Sequence, residues 1–176
     1  MSDRKEIMHA LDVERSLERL ACQILEEIPD QQAIALVGIQ RRGVDLAGRL
    51  CRLLQGKTGT VIPCGELDIN LYRDDWTTSD STPNINATQI DFAVEDKILI
   101  LVDDVLFTGR TIRSALEALL DFGRPEAVKL LVLVDRGHRE LPIQADFVGK
   151  IVATERAEQV NVYLLERDGR DLVMLG

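Results

Sequence analysis

Cysteine, cationic surplus and long apolar runs are all scarce in this chain, and each scarcity excludes something. The three cysteines, Cys22, Cys51 and Cys64, are odd in number, show no Cys-x-x-Cys spacing and have no His-rich neighbourhood. That pattern suggests neither a zinc site nor a disulfide framework, and it leaves three reduced thiols serving as small apolar residues. Against 30 Asp and Glu stand only 21 Lys and Arg, a net charge of −9. Broad binding to a polyanion is disfavoured, because nonspecific affinity for nucleic acid comes from neutralising phosphates with Lys and Arg; a local basic face stays open. No run approaches the roughly 20 apolar residues that span a bilayer. The opening Met-Ser-Asp-Arg-Lys-Glu leads into an amphipathic segment, unlike a signal peptide. The expectation is a cytoplasmic protein with no membrane partner.

What is present fits one domain over residues 1–176, with 45% hydrophobic and 29% charged residues, no internal repeat and no second domain. Val13, Leu17, Leu20, Ile24 and Ile28 recur at three- and four-residue steps and predict a helix over 12–28, ending before Pro29. Residues 33–37 predict a buried strand. Val44, Ala47, Leu50 and Leu54 mark a second helix over 43–54 with Gly56 as its stop. A strand over 61–71 is followed by a polar stretch, 74–88, that predicts a long exposed loop. Residues 97–103 fit a central parallel strand, and Ile112, Ala115, Leu116 and Leu119 the next helix, capped near Gly123. Strands follow at 128–134 and 147–152, and residues 160–166 with 172–175 predict a hairpin around Asp168-Gly169. Strands alternating with helices imply an α/β fold whose mainly parallel sheet is flanked by helices.

The strongest chemical signal is the apolar strand Ile98-Leu99-Ile100-Leu101-Val102, which runs into Asp103-Asp104, then Val105-Leu106-Phe107, a small-residue turn Thr108-Gly109-Arg110-Thr111 and a helix. Ligands of open α/β sheets sit beyond the carboxyl ends of strands, where this order places two acids and a Gly-containing turn. Turn amides at a helix start, with the Thr108 and Thr111 hydroxyls, suit a 5′-phosphate. Asp103 and Asp104 suit ribose hydroxyls and the charge of an oxocarbenium-like centre. Adjacent acids after a strand also cap helices, but the whole string is far more specific than a cap. A second strand-turn-helix, Val37-Gly38-Ile39-Gln40-Arg41-Arg42-Gly43, offers turn amides and guanidinium forks to a pyrophosphate; a solvated basic turn is the rival reading for Arg41. A third piece, Leu71-Tyr72-Arg73-Asp74-Asp75, stands at the mouth of the polar loop, a lid in one reading and an ordinary solvated loop in the other.

The string from Val102 to Thr111 resembles the signature for 5-phosphoribosyl-1-pyrophosphate (PRPP) of the type I phosphoribosyltransferases. With Asp68-Ile69-Asn70-Leu71-Tyr72-Arg73-Asp74-Asp75 and Leu133-Val134-Asp135-Arg136-Gly137-His138-Arg139-Glu140-Leu141-Pro142-Ile143, the chain resembles the bifunctional pyrimidine-operon regulator/uracil phosphoribosyltransferase family over residues 12–167. That resemblance implies the type I fold with a small hood, and formation of UMP and pyrophosphate from uracil and PRPP. It implies Mg²⁺ bound mainly through PRPP, and catalysis by Asp103, Asp104 and Arg73. Arg41 and Arg42 would fall in the pyrophosphate loop, Arg41 standing where Thr is usual. Uracil would stack near Val134, Asp135 and Arg136. His138 is read as ordering its own turn and not as a general base. A homo-oligomer is expected.

The family also binds a messenger-RNA stem-loop. Arg139 and Lys150 match its RNA-facing pattern, whereas Glu18, Cys22, Glu27 and Gln144 replace groups that would face RNA, which predicts weakened binding. Three functions stay open on the sequence: a uracil phosphoribosyltransferase, an RNA-binding attenuator that senses PRPP or UMP in the same pocket, and a phosphoribosyltransferase for another base.

Overall fold

A computed structural model describes residues 5–73 and 88–176. Strand β1 (Lys5–Met8) leads into α1 (Ala10–Glu27), whose Val13, Leu17, Leu20, Ala21 and Ile24 are buried at the predicted spacing. Each such side chain taken from water contributes about 1.5–3 kcal/mol. Then come β2 (Ile34–Ile39), α2 (Arg42–Thr58), β3 (Cys64–Leu67), β4 (Ile98–Leu106), α3 (Arg110–Leu119), β5 (Ala127–Asp135) and β6 (Phe147–Ile151). The chain continues through β7 (Val160–Tyr163), a single helical turn α4 (Leu165–Asp168) and β8 (Leu172–Leu175).

Five strands form a parallel sheet in the order β3-β2-β4-β5-β6, and β1-β8-β7 make a small antiparallel sheet. Successive residues of a strand face opposite sides, so Leu36, Ile100, Val102 and Leu133 pack with α1 and α2, while Ala35, Val37, Leu99, Leu101 and Val132 pack with α3. The path steps outward from β2 to β3 and then returns to the other side of β2 as β4. This reversal opens a crevice between the carboxyl ends of β2 and β4, where open α/β sheets take their ligands.

Several boundaries differ from the sequence expectation. Helix α2 runs through Gly56, which lies in open space, and stops at Gly59, whose φ of 71° favours glycine. The strand expected over 61–71 shortens to β3 because Asp68 Oδ1 accepts the Asn70 N–H at 2.9 Å and turns the chain into a 3₁₀ turn, Asn70–Tyr72. Strand β4 extends past both acids to Leu106, so Asp103 and Asp104 lie on the strand itself. The terminal hairpin is joined by α4, and β1, paired with β8, had no counterpart in the sequence reading. Cys51 alone among the free cysteines is buried; Cys22 and Cys64 are exposed. No helix among the described residues is long and apolar enough to cross a membrane.

Candidate active site

The crevice holds a cavity of about 270 Å³ lined by Ile39, Gln40, Arg41, Arg42, Ile69, Asn70, Arg73, Asp103, Asp104, Val105 and Thr111. Three separate segments singled out in the sequence therefore meet around one space. Glycines make the approach possible: a Cβ on Gly43 would lie 2.3 Å from the Val102 carbonyl oxygen, and one on Gly38 would lie 2.5 Å from that of Gly43. Only bare backbone lets the start of α2 rest on the end of β4.

Asp103 is 7% exposed and Asp104 half-buried. Each carboxylate accepts from the following amide, Asp104 N–H to Asp103 Oδ1 at 2.9 Å and Val105 N–H to Asp104 Oδ1 at 2.8 Å. Burial first, and then the neighbouring charge of Asp104, push the Asp103 carboxyl well above the usual carboxylate range. Burial raises Asp104 as well, opposed by the Val105 amide and by the Arg42 charge. Two acids so placed store electrostatic free energy that a cationic centre would relieve. Among the described residues no group of three or more His, Cys, Asp or Glu side chains is placed to hold a metal ion. The two acids suit a hard cation that brings most of its oxygen ligands with it, as Mg²⁺ on phosphates does.

The 108–111 turn follows directly. Gly109 has φ 90°, and a Cβ there would press on Ile143 at 3.2 Å. The Thr108 hydroxyl accepts the Arg110 N–H at 3.3 Å, and its carbonyl accepts Glu140 and Leu141 N–H groups. Arg110 itself is tied to Glu140 at 2.7 Å. Thr111 lines the cavity within the first turn of α3, so its hydroxyl lies where the positive end of the helix dipole favours an anion.

Arg41 and Arg42 enter from the opposite wall, where the Gln40–Arg41 peptide is cis. Arg42 pairs with Asp168 at 3.1 Å. Arg73 reaches the cavity at the end of a 3₁₀ turn that is anchored on α3 and the turn after it: the Ser114 hydroxyl of α3 donates to the Tyr72 carbonyl at 3.0 Å, and the Tyr72 hydroxyl meets Asp121 just beyond the helix. The expected loop over 74–88, with Asp74 and Asp75, lies outside the described residues except for Thr88, whose hydroxyl accepts the Asp68 N–H at 3.0 Å.

Val134, Asp135 and Arg136 do not line this cavity but end the neighbouring strand, with the Arg136 N–H donating to the Leu106 carbonyl at 3.1 Å. Phe107, Arg136 and His138 form a compact group. The Arg136 guanidinium lies 4.0 Å over the Phe107 ring and donates to the Glu155 and Arg156 carbonyls. His138 takes φ 64° and meets the Thr154 carbonyl at 2.7 Å. Arg139 points inward, bonded to the carbonyls of Ile143 and Phe107 and to Asp135.

Sequence reasoning did not single out Gln40, Asn70 or Asp168. The first two sit inside quoted motifs, so proximity to Arg41 and Arg73 was an available signal. Asp168 is 126 positions from its partner Arg42, and no local pattern marks it.

Comparison with known proteins agrees with this geometry. The phosphoribosyl transferase domain family matches residues 3–165, a span that contains every residue lining the crevice. Bifunctional protein PyrR of Acetivibrio thermocellus is 51% identical over 175 residues, covering 99% of this chain and 95% of the relative. Bifunctional protein PyrR of Thermus thermophilus is 50% identical, covering 99% and 97%. The chain belongs to the PyrR family. Among solved structures, a hypoxanthine phosphoribosyltransferase from Trypanosoma cruzi in a ternary substrates complex superposes with a TM-score of 0.75 at 20% identity, covering 98% of this chain and 95% of that one. A hypoxanthine-guanine phosphoribosyltransferase from Bacillus anthracis gives 0.68 at 18%, covering 86% and 85%. These two share the fold.

Proposed function

We propose that the protein transfers the phosphoribosyl group of PRPP to uracil, giving UMP and pyrophosphate. The observation that carries this reading is the convergence of Asp103-Asp104, Thr111 of the 108–111 turn and Arg41–Arg42 on one cavity at the sheet's reversal. In this reading the amides at the start of α3 and the Thr108 and Thr111 hydroxyls hold the 5′-phosphate. Asp103 and Asp104 accept the ribose hydroxyls and stabilise positive charge at C1 as its bond to pyrophosphate breaks. Arg42, Arg41 and Arg73 take the charge that builds on the leaving group. Mg²⁺ arriving with PRPP supplies further neutralisation of that pyrophosphate. Uracil lies against the ends of β4 and β5 near Val134, Asp135 and Arg136, where backbone groups read its edge. Its ring nitrogen closes on C1 as pyrophosphate departs, so one C–N bond replaces one C–O bond, the proton of that nitrogen passes to the departing pyrophosphate or to water, and no redox partner is needed.

Asp104→Asn tests this. The amide keeps the shape and the acceptor for the Val105 N–H, but it loses the charge, so kcat falls by about 100-fold or more while the thermal transition is kept. Unchanged kcat/KM for PRPP would sink the assignment.

For the family's second activity, we infer a weakened grip on a messenger-RNA stem-loop. Glu18 pairs with Lys57 at 2.8 Å and Glu27 pairs with Lys129, so acids stand on the face in question and hold its cations. Of the two matching cations, Arg139 is turned inward and Lys150 donates to the Ile7 carbonyl at 2.7 Å.

A further inference from the structure

What fixes the Arg41–Arg42 turn comes from the far end of the chain. Arg42 Nη2 lies 3.1 and 3.2 Å from the two carboxylate oxygens of Asp168. Asp168 is itself held, because the Leu164 N–H donates to its Oδ2 at 2.8 Å. Beside it Arg167 pairs with Asp45 of α2 and donates to the Arg41 carbonyl at 3.3 Å. One turn further along α2, Arg49 is gripped by Glu166 and Asp171 at 2.5–2.8 Å. Segment 165–171 therefore brackets the start of α2 from outside the cavity.

The bracket does more than tether a helix. Arg42 stands between two carboxylates, Asp168 at 3.1 Å and Asp104, which lines the same cavity. A guanidinium that lost one partner would be drawn to the other. An Arg42–Asp104 pair would occupy the acid that the ribose needs and withdraw the cation from the leaving group. Arg42 Nε is buried and has no hydrogen-bond partner among the described residues, a donor that phosphate oxygens would satisfy. An exposed ion pair would contribute little to function or stability. This one is only 33% and 20% exposed on its two sides, and it sits against the reaction space.

We propose that Asp168 is a positioning residue for pyrophosphate: it holds Arg42 on the cavity wall and away from Asp104, so that the guanidinium meets the diphosphate and the carboxylate meets the ribose. The proposal rests on the reading of the 41–42 turn as the pyrophosphate site.

The test is a double-mutant cycle on binding of inorganic pyrophosphate with Mg²⁺, measured by calorimetry on wild type, Asp168→Asn, Arg42→Ala and the double variant. Asp168→Asn, which keeps an acceptor for the Leu164 N–H, weakens pyrophosphate about tenfold, and the double variant binds no worse than Arg42→Ala alone. Asp168→Glu recovers part of the loss. In steady state Asp168→Asn raises the KM for PRPP and leaves that for uracil within about twofold. Additive losses in the cycle, equal effects on both KM values, or a lower Tm with unchanged pyrophosphate affinity would each overturn the role, as would a wild type that binds no pyrophosphate. Should Asp168→Asn fail to fold, Arg167→Gln removes the bond to the Arg41 carbonyl together with the Asp45 pair and leaves the Arg42–Asp168 pair in place. A pyrophosphate affinity about threefold weaker then supports the bracket, and an unchanged one overturns it. If the cycle behaves as stated but wild type forms no UMP, the positioning role stands and the substrate reading fails.

Discussion

The carboxyl edge of the parallel sheet and the outer face of α1 treat charge in opposite ways. At the sheet edge a buried acid stands beside a half-buried one, Asp103 well above its usual range, in an arrangement that lowers stability and is relieved by a cationic centre. On α1 three charges are already engaged: Glu18 by Lys57, Glu27 by Lys129, and Arg19 by the Val148 and Gly149 carbonyls. A region kept strained at a stability cost reads as machinery. One whose ions satisfy each other offers a polyanion little to displace. The difference teaches that net charge alone, −9 here, says less than where charges go unpaired.

The sharpest way to break the comparison is at the sheet edge. Arg42→Ala raises the KM for PRPP roughly tenfold to a hundredfold, the range of a lost charge-assisted hydrogen bond, and changes the KM for uracil much less. Equal shifts in both would remove the pyrophosphate role. On the other face, Glu18→Thr, Glu27→Arg and Gln144→Arg together add two cations and delete two acids. Filter binding of a family-type stem-loop across several salt concentrations then gives about tenfold tighter binding and a salt slope steeper by roughly one to two. Nanomolar binding by wild type with no gain in the variant would mean that another surface meets RNA.

The smallest effect concerns stability and has a defined sign. A carboxyl whose folded pKa is raised helps the fold only while it is protonated, below its ordinary value of 3.8, and that help is lost as pH rises through the raised value. Asp103→Asn removes the buried charge, so at pH 7–8 it stabilises by about 1 kcal/mol, roughly 2–4 °C in Tm, and the gain shrinks as pH falls toward 4. Calorimetric scans at pH 4.5 and 7.5 check it; a Tm lowered at both would contradict the burial argument.

How much was legible in the sequence follows the same division. The acids, the 108–111 turn and the 41–43 turn are contiguous strings in which strand, turn and helix signals reinforce each other; of them Asp103, Asp104, Val105, Thr111, Arg41 and Arg42 line the cavity, whereas Val102, Leu106, Phe107, Thr108, Gly109 and Arg110 do not. Buried helix faces were legible because a period of three to four leaves a clear stripe, as Val13 to Ile24 shows. Helix ends were less so: Gly56 and Gly59 are both glycine, and only the left-handed backbone at 59 tells them apart. Strand β1 shows one buried residue of four, too weak a pattern to stand without its partner β8. The Arg42–Asp168 pair joins residues 126 apart, and nothing local in either segment announces it.

The most direct measurement is the initial rate of nucleotide formation from PRPP and Mg²⁺ with uracil, hypoxanthine, guanine and orotate offered separately to the wild-type protein. The expected result is UMP formation with kcat/KM for uracil at least about a hundredfold above any other base, a gap of about 2.8 kcal/mol in transition-state binding. A higher kcat/KM for a purine base, or no turnover of uracil at saturating PRPP, would contradict the account.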